Sequence, residues 1–310
     1  MNWYKITLLT GLTFCIMGGI LTCAGRAAGG MNALATHQEQ NSTSSSHKNM
    51  ITKKKSEIDK FQNLQVNMKH LDLYIRTSKD NKYYMEYVLQ QVNGKNPLTC
   101  QSTQDTLTLT EEIGKTASYY REIHLGIGTS LLGRYRTENY KNIVILYLPA
   151  QAVLRECEIS LNKGDTEIKN LTADNLDCTL KSGDFSADKL TANNLNCTLK
   201  SGDFSADRLT VDAGKITMDG GDIDCGHTAL NQKLTMQSKE GDISIAIPSR
   251  ILPKISVQAY TREGDIDAAR KYKGKLTIDR KNDTRSYTAN EGSFLPQLSI
   301  RTEDGDIELD

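Results

Sequence analysis

The sequence predicts an all-β protein, a β-solenoid-like stack of short strands with one N-terminal transmembrane helix before it. Three observations predict this class: a unit of 19 residues recurs in the C-terminal half, apolar and polar residues alternate around repeated Gly-Asp pairs, and one uncharged segment opens the chain. The 310 residues therefore divide into four predicted parts. These are a membrane anchor (1–26), a flexible polar tether (27–60), an irregular β region (61–150) and a β-strand repeat region (151–310).

The predicted anchor is the segment ITLLTGLTFCIMGGILTCAG, residues 6–25, which lies between Lys5 and Arg26 and contains no charge. Twenty such residues suffice to cross about 30 Å of hydrocarbon as a helix. A cleaved signal peptide is less favoured because no small-x-small site follows the run. A lipoprotein signal is less favoured because Thr22 stands before Cys23. The positive-inside rule then favours a single-pass membrane protein with an extracytoplasmic C-terminal region.

Residues 27–60 are polar and low in complexity, which is typical of a flexible tether. The run Lys53-Lys54-Lys55 within it is better explained as a solvated stretch of linker than as a site for anionic lipid.

Residues 61–150 contain four predicted strands, LQVNMKHLDLYI, KYYMEYVL, DTLTLT and NIVILYLP. Nine of the thirteen tyrosines fall here. We favour cross-strand packing of these rings over an exposed face that binds sugar or a partner chain. Pro149 is expected to close NIVILYLP and to start the solenoid.

The repeat is clearest where NLDCTLKSGDFSADKLT, residues 175–191, recurs as NLNCTLKSGDFSADRLT from residue 194. Gly-Asp pairs mark the units, at spacings of 19, 19, 19, 20, 23 and 41 residues. The last spacing is interpreted as two periods with one marker lost. The pairs are Gly164-Asp165, Gly183-Asp184, Gly202-Asp203, Gly221-Asp222, Gly241-Asp242, Gly264-Asp265 and Gly305-Asp306.

Each unit is predicted to be a strand, a Gly-Asp turn, a second strand and a corner. Cys178 and Leu180 alternate with polar residues before one turn, and Phe185 and Ala187 do so after it. Glycine adopts backbone conformations closed to other residues, and aspartate bonds neighbouring amides. Nineteen residues cannot build a core alone, but coils stacked about 4.8 Å apart can. The final unit, 298–310, is expected to end the stack as an edge protected by charged side chains.

Composition excludes several function classes. The 38 basic and 38 acidic residues balance, so no basic face for nucleic acid is indicated. The seven cysteines show no CxxC spacing, which argues against zinc. The sequence contains no nucleophile elbow, HExxH motif or phosphate loop. We therefore expect no enzyme and no cofactor, and a glycan-active β-helix enzyme is the less favoured alternative.

Two sets of repeat residues are candidate sites. Asp184, Asp203 and Asp222 would stack as carboxylates, and Ca²⁺ between coils would relieve their repulsion. Turn capping, with Lys181 and Lys200 relieving the repulsion, is favoured because the glycine-rich nonapeptide of calcium-binding β-rolls is absent.

The second set is Cys178 and Cys197, which occupy equivalent inward positions in adjacent coils. Packed thiols are favoured over a disulfide between them.

These features together resemble the bacterial putative-adhesin family of β-strand-repeat domains, a family of unknown function. The resemblance covers about Phe61 to Asp310 and rests on NIVILYLP at 142–149, the Gly-Asp-Ile and Gly-Asp-Phe turns, and TEDGDIEL at 302–309. It implies stacked strands displayed at the bacterial envelope and carries no catalytic residue over to this chain.

The function predicted is a non-enzymatic, envelope-displayed, adhesin-like binding or structural module for an unknown protein or glycan. The alternative is a regulatory component of envelope-stress signalling.

Overall fold

The computed structural model describes residues 50–112, 142–292 and 294–310. Within those ranges the chain forms β-strands and two short 3-10 helices, Leu252–Lys254 and Arg270–Tyr272. The predicted anchor lies outside the described residues, and no helix within them is long and apolar enough to span a membrane. Ile51–Asp310 is one compact unit.

Most strands that follow a Gly-Asp pair are only three or four residues long, and the strands that lead up to the pairs are longer. In chain order they are β1 (Met50–Ile58), β2 (Asn63–Met68), β3 (Asp72–Thr77), β4 (Tyr83–Gln90), β5 (Leu98–Thr103), β6 (Thr106–Glu111), β7 (Ile143–Leu148), β8 (Val153–Leu161), β9 (Thr166–Ile168), β10 (Leu171–Leu180), β11 (Phe185–Ala187), β12 (Leu190–Leu199), β13 (Phe204–Gly220), β14 (Ile223–Glu240), β15 (Ile243–Ala246), β16 (Ser256–Glu263), β17 (Ile266–Ala268), β18 (Lys275–Asp279), β19 (Thr284–Ala289), β20 (Gln297–Asp304) and β21 (Ile307–Leu309).

The strands form two ladders that share β13 and β14. The broad sheet runs β5-β6-β2-β8-β10-β12-β13-β14-β20-β16-β19-β18. The narrow sheet runs β4-β7-β3-β9-β11-β13-β14-β15-β21-β17. Pairing is parallel except at the ends, where β5–β6, β16–β19, β18–β19 and β4–β7 are antiparallel. Each coil gives one strand to each sheet, as a β-solenoid requires.

The predicted alternation is confirmed in the core. Cys178, Leu180, Phe185 and Ala187 are all buried. Equivalent residues meet in register between coils, so that the rings of Phe185 and Phe204 stack with centroids 5.0 Å apart. The coils therefore enclose one continuous core, which is lined by a repeated set of apolar side chains.

The final unit does not end the stack, so the predicted terminal edge is wrong. β20 pairs with both β14 and β16, and β21 pairs with both β15 and β17. The chain reaches this interior position because residues 275–289 form the antiparallel hairpin β18–β19 beside β16. The 41-residue spacing therefore spans a hairpin and an out-of-order coil, not a coil that lost its marker.

The same rearrangement occurs at the other end. β2 lies between β6 and β8, and β3 lies between β7 and β9. Residues 63–77 are thus a full coil whose turn is Leu71-Asp72 and contains no glycine. The solenoid consequently begins well before Pro149, earlier than predicted.

β1 lies inside the predicted tether, so that prediction is wrong for residues 50–58, while residues 27–49 lie outside the described part of the chain. β1 pairs with β4. The Lys55 ammonium sits 4.6 Å from the ring centre of Tyr84 and 3.9 Å from that of Tyr147. These two cation–π contacts stabilise the strand against the sheet.

Three of the five tyrosines described in this region, Tyr83, Tyr84 and Tyr147, pack as predicted. Tyr84 and Tyr147 lie directly opposite each other on β4 and β7. Tyr83 is buried and meets Phe61 edge to face, with ring centres 5.1 Å apart. Tyr119, Tyr120, Tyr135 and Tyr140 lie outside the described residues.

Candidate functional site

An unbroken row of aspartates, the aspartate ladder, runs along the turns at one edge of the narrow sheet. In each step, the carboxylate Oδ1 of one aspartate accepts the backbone N–H of the aspartate in the next coil, with N···O distances of 2.7–3.0 Å. In spatial order the members are Asp72, Asp165, Asp184, Asp203, Asp222, Asp242, Asp306 and Asp265. The predicted turn aspartates are therefore brought together, joined by Asp72, which the sequence analysis missed.

The glycine before every ladder aspartate except Asp72 allows the coils to approach closely. Gly202 has φ +119° and packs against the carbonyl oxygen of Gly183. A Cβ at Gly202 would penetrate that carbonyl oxygen, so both the backbone conformation and the contact require glycine.

The ladder carboxylates are partly engaged by the backbone of the protein itself. One oxygen of each of Asp184, Asp203 and Asp222 is taken by an amide. No group of three or more metal-ligating side chains is positioned to hold an ion within the described ranges. The geometry supports the turn-capping role of these aspartates.

The lysines expected beside the ladder do not bind its carboxylates directly. Neither Lys181 nor Lys200 forms an ion pair with a ladder aspartate in the part of the chain that the structure describes. The backbone N–H groups offset the repulsion instead, and Arg285 of β19 closes one end with its Nε 2.7 Å from Asp265 Oδ1.

A second outward column lies two residues beyond the ladder, because side chains alternate along a strand. Its members are hydroxyl, carboxylate or phenol side chains: Tyr74, Glu167, Ser186, Ser205, Asp224, Ser244, Glu308 and Asp267. We call this column and the aspartate ladder together the acidic face. A groove of about 500 Å³ lies on it, lined in part by Asp184, Ser186 and Asp203.

Charge on the acidic face is balanced mainly toward its ends. Arg76 is 2.6 Å from Glu167 at one end, and Arg285 contacts Asp265 at the other. Between them, carboxylates and serine hydroxyls lie side by side on neighbouring strands. Such a surface can accept hydrogen bonds from hydroxyl, amide or ammonium groups of an extended ligand.

The outer side of the broad sheet is different, because its polar side chains bond one another from coil to coil. Asn194 Nδ2 donates to Asn175 Oδ1 at 2.8 Å, and Asn175 Nδ2 donates to Glu156 Oε1 at 2.7 Å. Asn196 repeats the pattern on Asp177 at 3.0 Å. These amide ladders use up much of the hydrogen-bonding capacity that a ligand would need.

The cysteines of the repeat are packed thiols, as predicted. Cys178 and Cys197 lie in register on β10 and β12, and both are free. Ile159 and Ile216 fill the same slot in the flanking coils. Burial raises the pKa of the Cys178 thiol well above its ordinary value.

The Toastrack DUF4097 family model matches residues 61–208 and, a second time, residues 142–310. The chain belongs to the Toastrack family. The two matches overlap at residues 142–208, as expected when a single family model matches a chain of repeated coils in two registers. This membership confirms the resemblance drawn from the sequence, over the same span.

Solved structures similar to this Toastrack chain carry names of three kinds. A putative adhesin from Bacteroides fragilis is 16% identical, with a TM-score of 0.45, and the match covers 85% of this chain and 98% of that one. A putative cell adhesion protein from Clostridium sporogenes is 14% identical (TM-score 0.31; 84% and 99% covered). A putative lipid binding protein from Parabacteroides distasonis is 14% identical (TM-score 0.40; 85% and 97% covered). Similarity at this level says nothing about function. No curated protein matches the chain in sequence.

Proposed function

We propose that this Toastrack protein is a non-enzymatic, adhesin-like binding module displayed at the bacterial envelope, with the acidic face as its binding surface. The observation that carries the proposal is the repetition of outward polar side chains, in register, on eight neighbouring strands: β3, β9, β11, β13, β14, β15, β21 and β17. Groups repeated about every 4.8 Å suit capture of an extended, repetitive partner, because weak contacts add along its length.

The uncharged run at residues 6–25 supports attachment to the membrane, with the stack on the extracytoplasmic side. Protease added to intact cells should then digest the β stack, as seen with an antibody against it. Protection of the stack in intact cells, with digestion after lysis, would contradict this placement.

The partner proposed is a protein or glycan rather than nucleic acid. Carboxylates repel phosphates, whereas they bind hydroxyl, amide and ammonium donors. Tyr74 lines the groove beside the carboxylates, and the Arg76 guanidinium lies over its ring, 5.1 Å from the ring centre. A phenol ring next to acidic side chains is suited to sugar rings and to cationic side chains alike.

The alternative, a regulatory component of envelope-stress signalling, uses the same face for a different partner. The negative charge favours a cationic segment of a membrane protein in that role. Crosslinking in intact cells separates the two functions, since the alternative requires a partner from the same membrane and no capture of host or wall polymers.

The proposal is tested by placing positive charge on one face at a time in the full chain. Ser186, Ser205 and Ser244 are outward residues of the acidic face, and Thr179, Thr198 and Thr217 are outward residues of the broad sheet. Replacing either set by lysine adds the same three charges. Bacteria producing each variant are measured for adhesion to wall polysaccharide and to host-protein coatings.

The serine set should sharply reduce adhesion, because it places three positive charges among the carboxylates of the binding surface, while the threonine set should leave adhesion intact. Equal loss in both variants, or wild-type cells that adhere no better than cells without the chain, would refute the proposal.

A further inference from the structure

Strand β18 is an exposed edge at one end of the broad sheet. It pairs with β19 on one side, and no other described strand pairs with it. All five of its residues are exposed, including Leu276 at 44% and Ile278 at 52%. An edge strand with open backbone groups and exposed apolar side chains is a template for pairing with another chain.

The sequence of β18, Lys-Leu-Thr-Ile-Asp, is complementary to itself when two copies run antiparallel. With Thr277 opposite Thr277 of a second copy, each Lys275 faces an Asp279 and each Leu276 faces an Ile278. Opposite charges and large apolar groups are the favourable cross-strand pairs. We propose that β18 pairs antiparallel with β18 of a second copy of this chain, centred on Thr277, and joins two broad sheets into one.

The two faces of β18 agree with this register. Leu276 lies directly opposite Tyr287, a buried residue, so Leu276 and Ile278 face the core side beyond the last coil. Lys275 and Asp279 face the other side. Pairing would therefore gather four aliphatic side chains on one face and two ion pairs on the opposite face, with a twofold axis between the central threonines.

Both ends of β18 are fixed before any partner arrives. At the start, the Gly274 N–H donates to the Tyr287 hydroxyl at 2.7 Å. At the end, the Asp279 carboxylate accepts the Lys281 N–H at 2.9 Å and the Asn282 side chain at 2.8 Å. A strand held in place in this way loses little conformational entropy on pairing.

The contact is small, since one five-residue strand contributes less than the roughly 800 Å² per partner of a standard interface. We therefore expect weak association in dilute solution. Chains tethered to one membrane meet at a much higher effective concentration, and pairing is favoured there. This expectation shares the membrane anchor with the proposed function, but the pairing does not depend on what the acidic face binds.

Disulfide trapping in membranes of cells producing the full chain tests the register. Directly opposite residues of antiparallel strands have Cα atoms about 4.5–5.5 Å apart, within the range that a disulfide bridges. Cys100 is exposed and is replaced by serine in every variant. Thr277→Cys should give a disulfide-linked dimer on mild oxidation. Lys281→Cys, on the same hairpin, should not give a dimer, because in this register it lies opposite residue 273 of the second copy and not opposite itself.

Two further measurements separate this register from random collision. A mixture of Leu276→Cys and Ile278→Cys chains should crosslink more than either chain alone. Adding Lys275→Asp to Thr277→Cys should reduce the dimer, because it places carboxylates opposite each other. Thr277→Cys that crosslinks no better than Lys281→Cys, or that is unaffected by Lys275→Asp, would overturn the proposal, whatever the adhesion assay shows.

Discussion

The middle of the stack and its two ends are built from the same coil but ordered differently. From β8 to β15 consecutive coils lie side by side in the order of the sequence. At one end the coil of β2 and β3 is inserted between later coils, and at the other the coil of β20 and β21 is inserted between earlier ones. Yet Asp306 bonds Asp242 and Asp265 just as Asp203 bonds Asp184 and Asp222. The same turn thus shapes the coils in both regions, whereas the segments that connect the coils determine their order in the stack.

The largest effect is expected where a turn glycine is changed in the middle of the stack. Gly221 has φ +117° and packs on the Gly202 carbonyl, so Gly221→Ala should cost about 4 kcal/mol of unfolding free energy or prevent folding. Gly220→Ala is the matched control, because a Cβ there meets nothing within 4 Å. Chemical denaturation of the purified chain measures both. Similar losses for the two variants would contradict the role given to the turn.

The next effect concerns the inserted coil at the C-terminal end. Leu309 is fully buried and lies between Ile245 and Ala268. Leu309→Ala should therefore cost about 3 kcal/mol of unfolding free energy, as in a core, while Glu308→Ala, at an exposed position, should cost little. A small loss for Leu309→Ala in thermal or chemical unfolding would place this strand at an edge.

The aspartate ladder should contribute equally in both regions. Asp203→Ala removes the acceptor of the Asp222 N–H, and Asp306→Ala removes that of the Asp265 N–H. Each should cost about 1–2 kcal/mol of unfolding free energy. Asp203→Asn should restore most of the loss, because the amide oxygen still accepts. Stability that falls as much with asparagine as with alanine would show that the charge, and not the hydrogen bond, matters.

The smallest effect is chemical and leaves the fold unchanged. Burial raises the pKa of Cys157 to about 12 and raises that of Cys225. Alkylation requires the thiolate, so raising the pH from 7 to 9 should not expose these buried thiols to iodoacetamide. Exposed Cys100 should be labelled over the same range. Peptide mass mapping with and without denaturant measures each site, and native labelling of Cys157 would indicate a loosened coil.

The coil itself could be predicted from sequence, but the stacking order could not. Alternation around Gly183-Asp184 is a local signal that identifies the inward residues Cys178 and Phe185. Every coil has edges that can form the same parallel hydrogen bonds with any other coil. The sequence of residues 297–310 therefore does not reveal that their strands lie inside the stack. The strand β1 was missed because its three consecutive lysines were interpreted as a solvated linker, whereas Lys55 packs on aromatic rings.

The candidate site was predicted in part for similar reasons. The ladder aspartates follow glycines and were found, but Asp72 follows Leu71 and was not. The second column of the acidic face contains tyrosine, glutamate, serine and aspartate, so no repeated residue type reveals it. It becomes visible only when Ser186 and Asp224 are seen on the same side of neighbouring strands.

The order of coils is tested most directly by disulfide formation within one chain. Ser299 lies in register with Thr235 on one side and with Gln258 on the other. Adjacent strands about 4.8 Å apart allow a disulfide, and strands twice as far apart do not. In a Cys100→Ser background, cysteines at Thr235 and Ser299 should crosslink on oxidation, and cysteines at Thr235 and Gln258 should not. A disulfide in the second variant and none in the first would mean that the coils stack in sequence order.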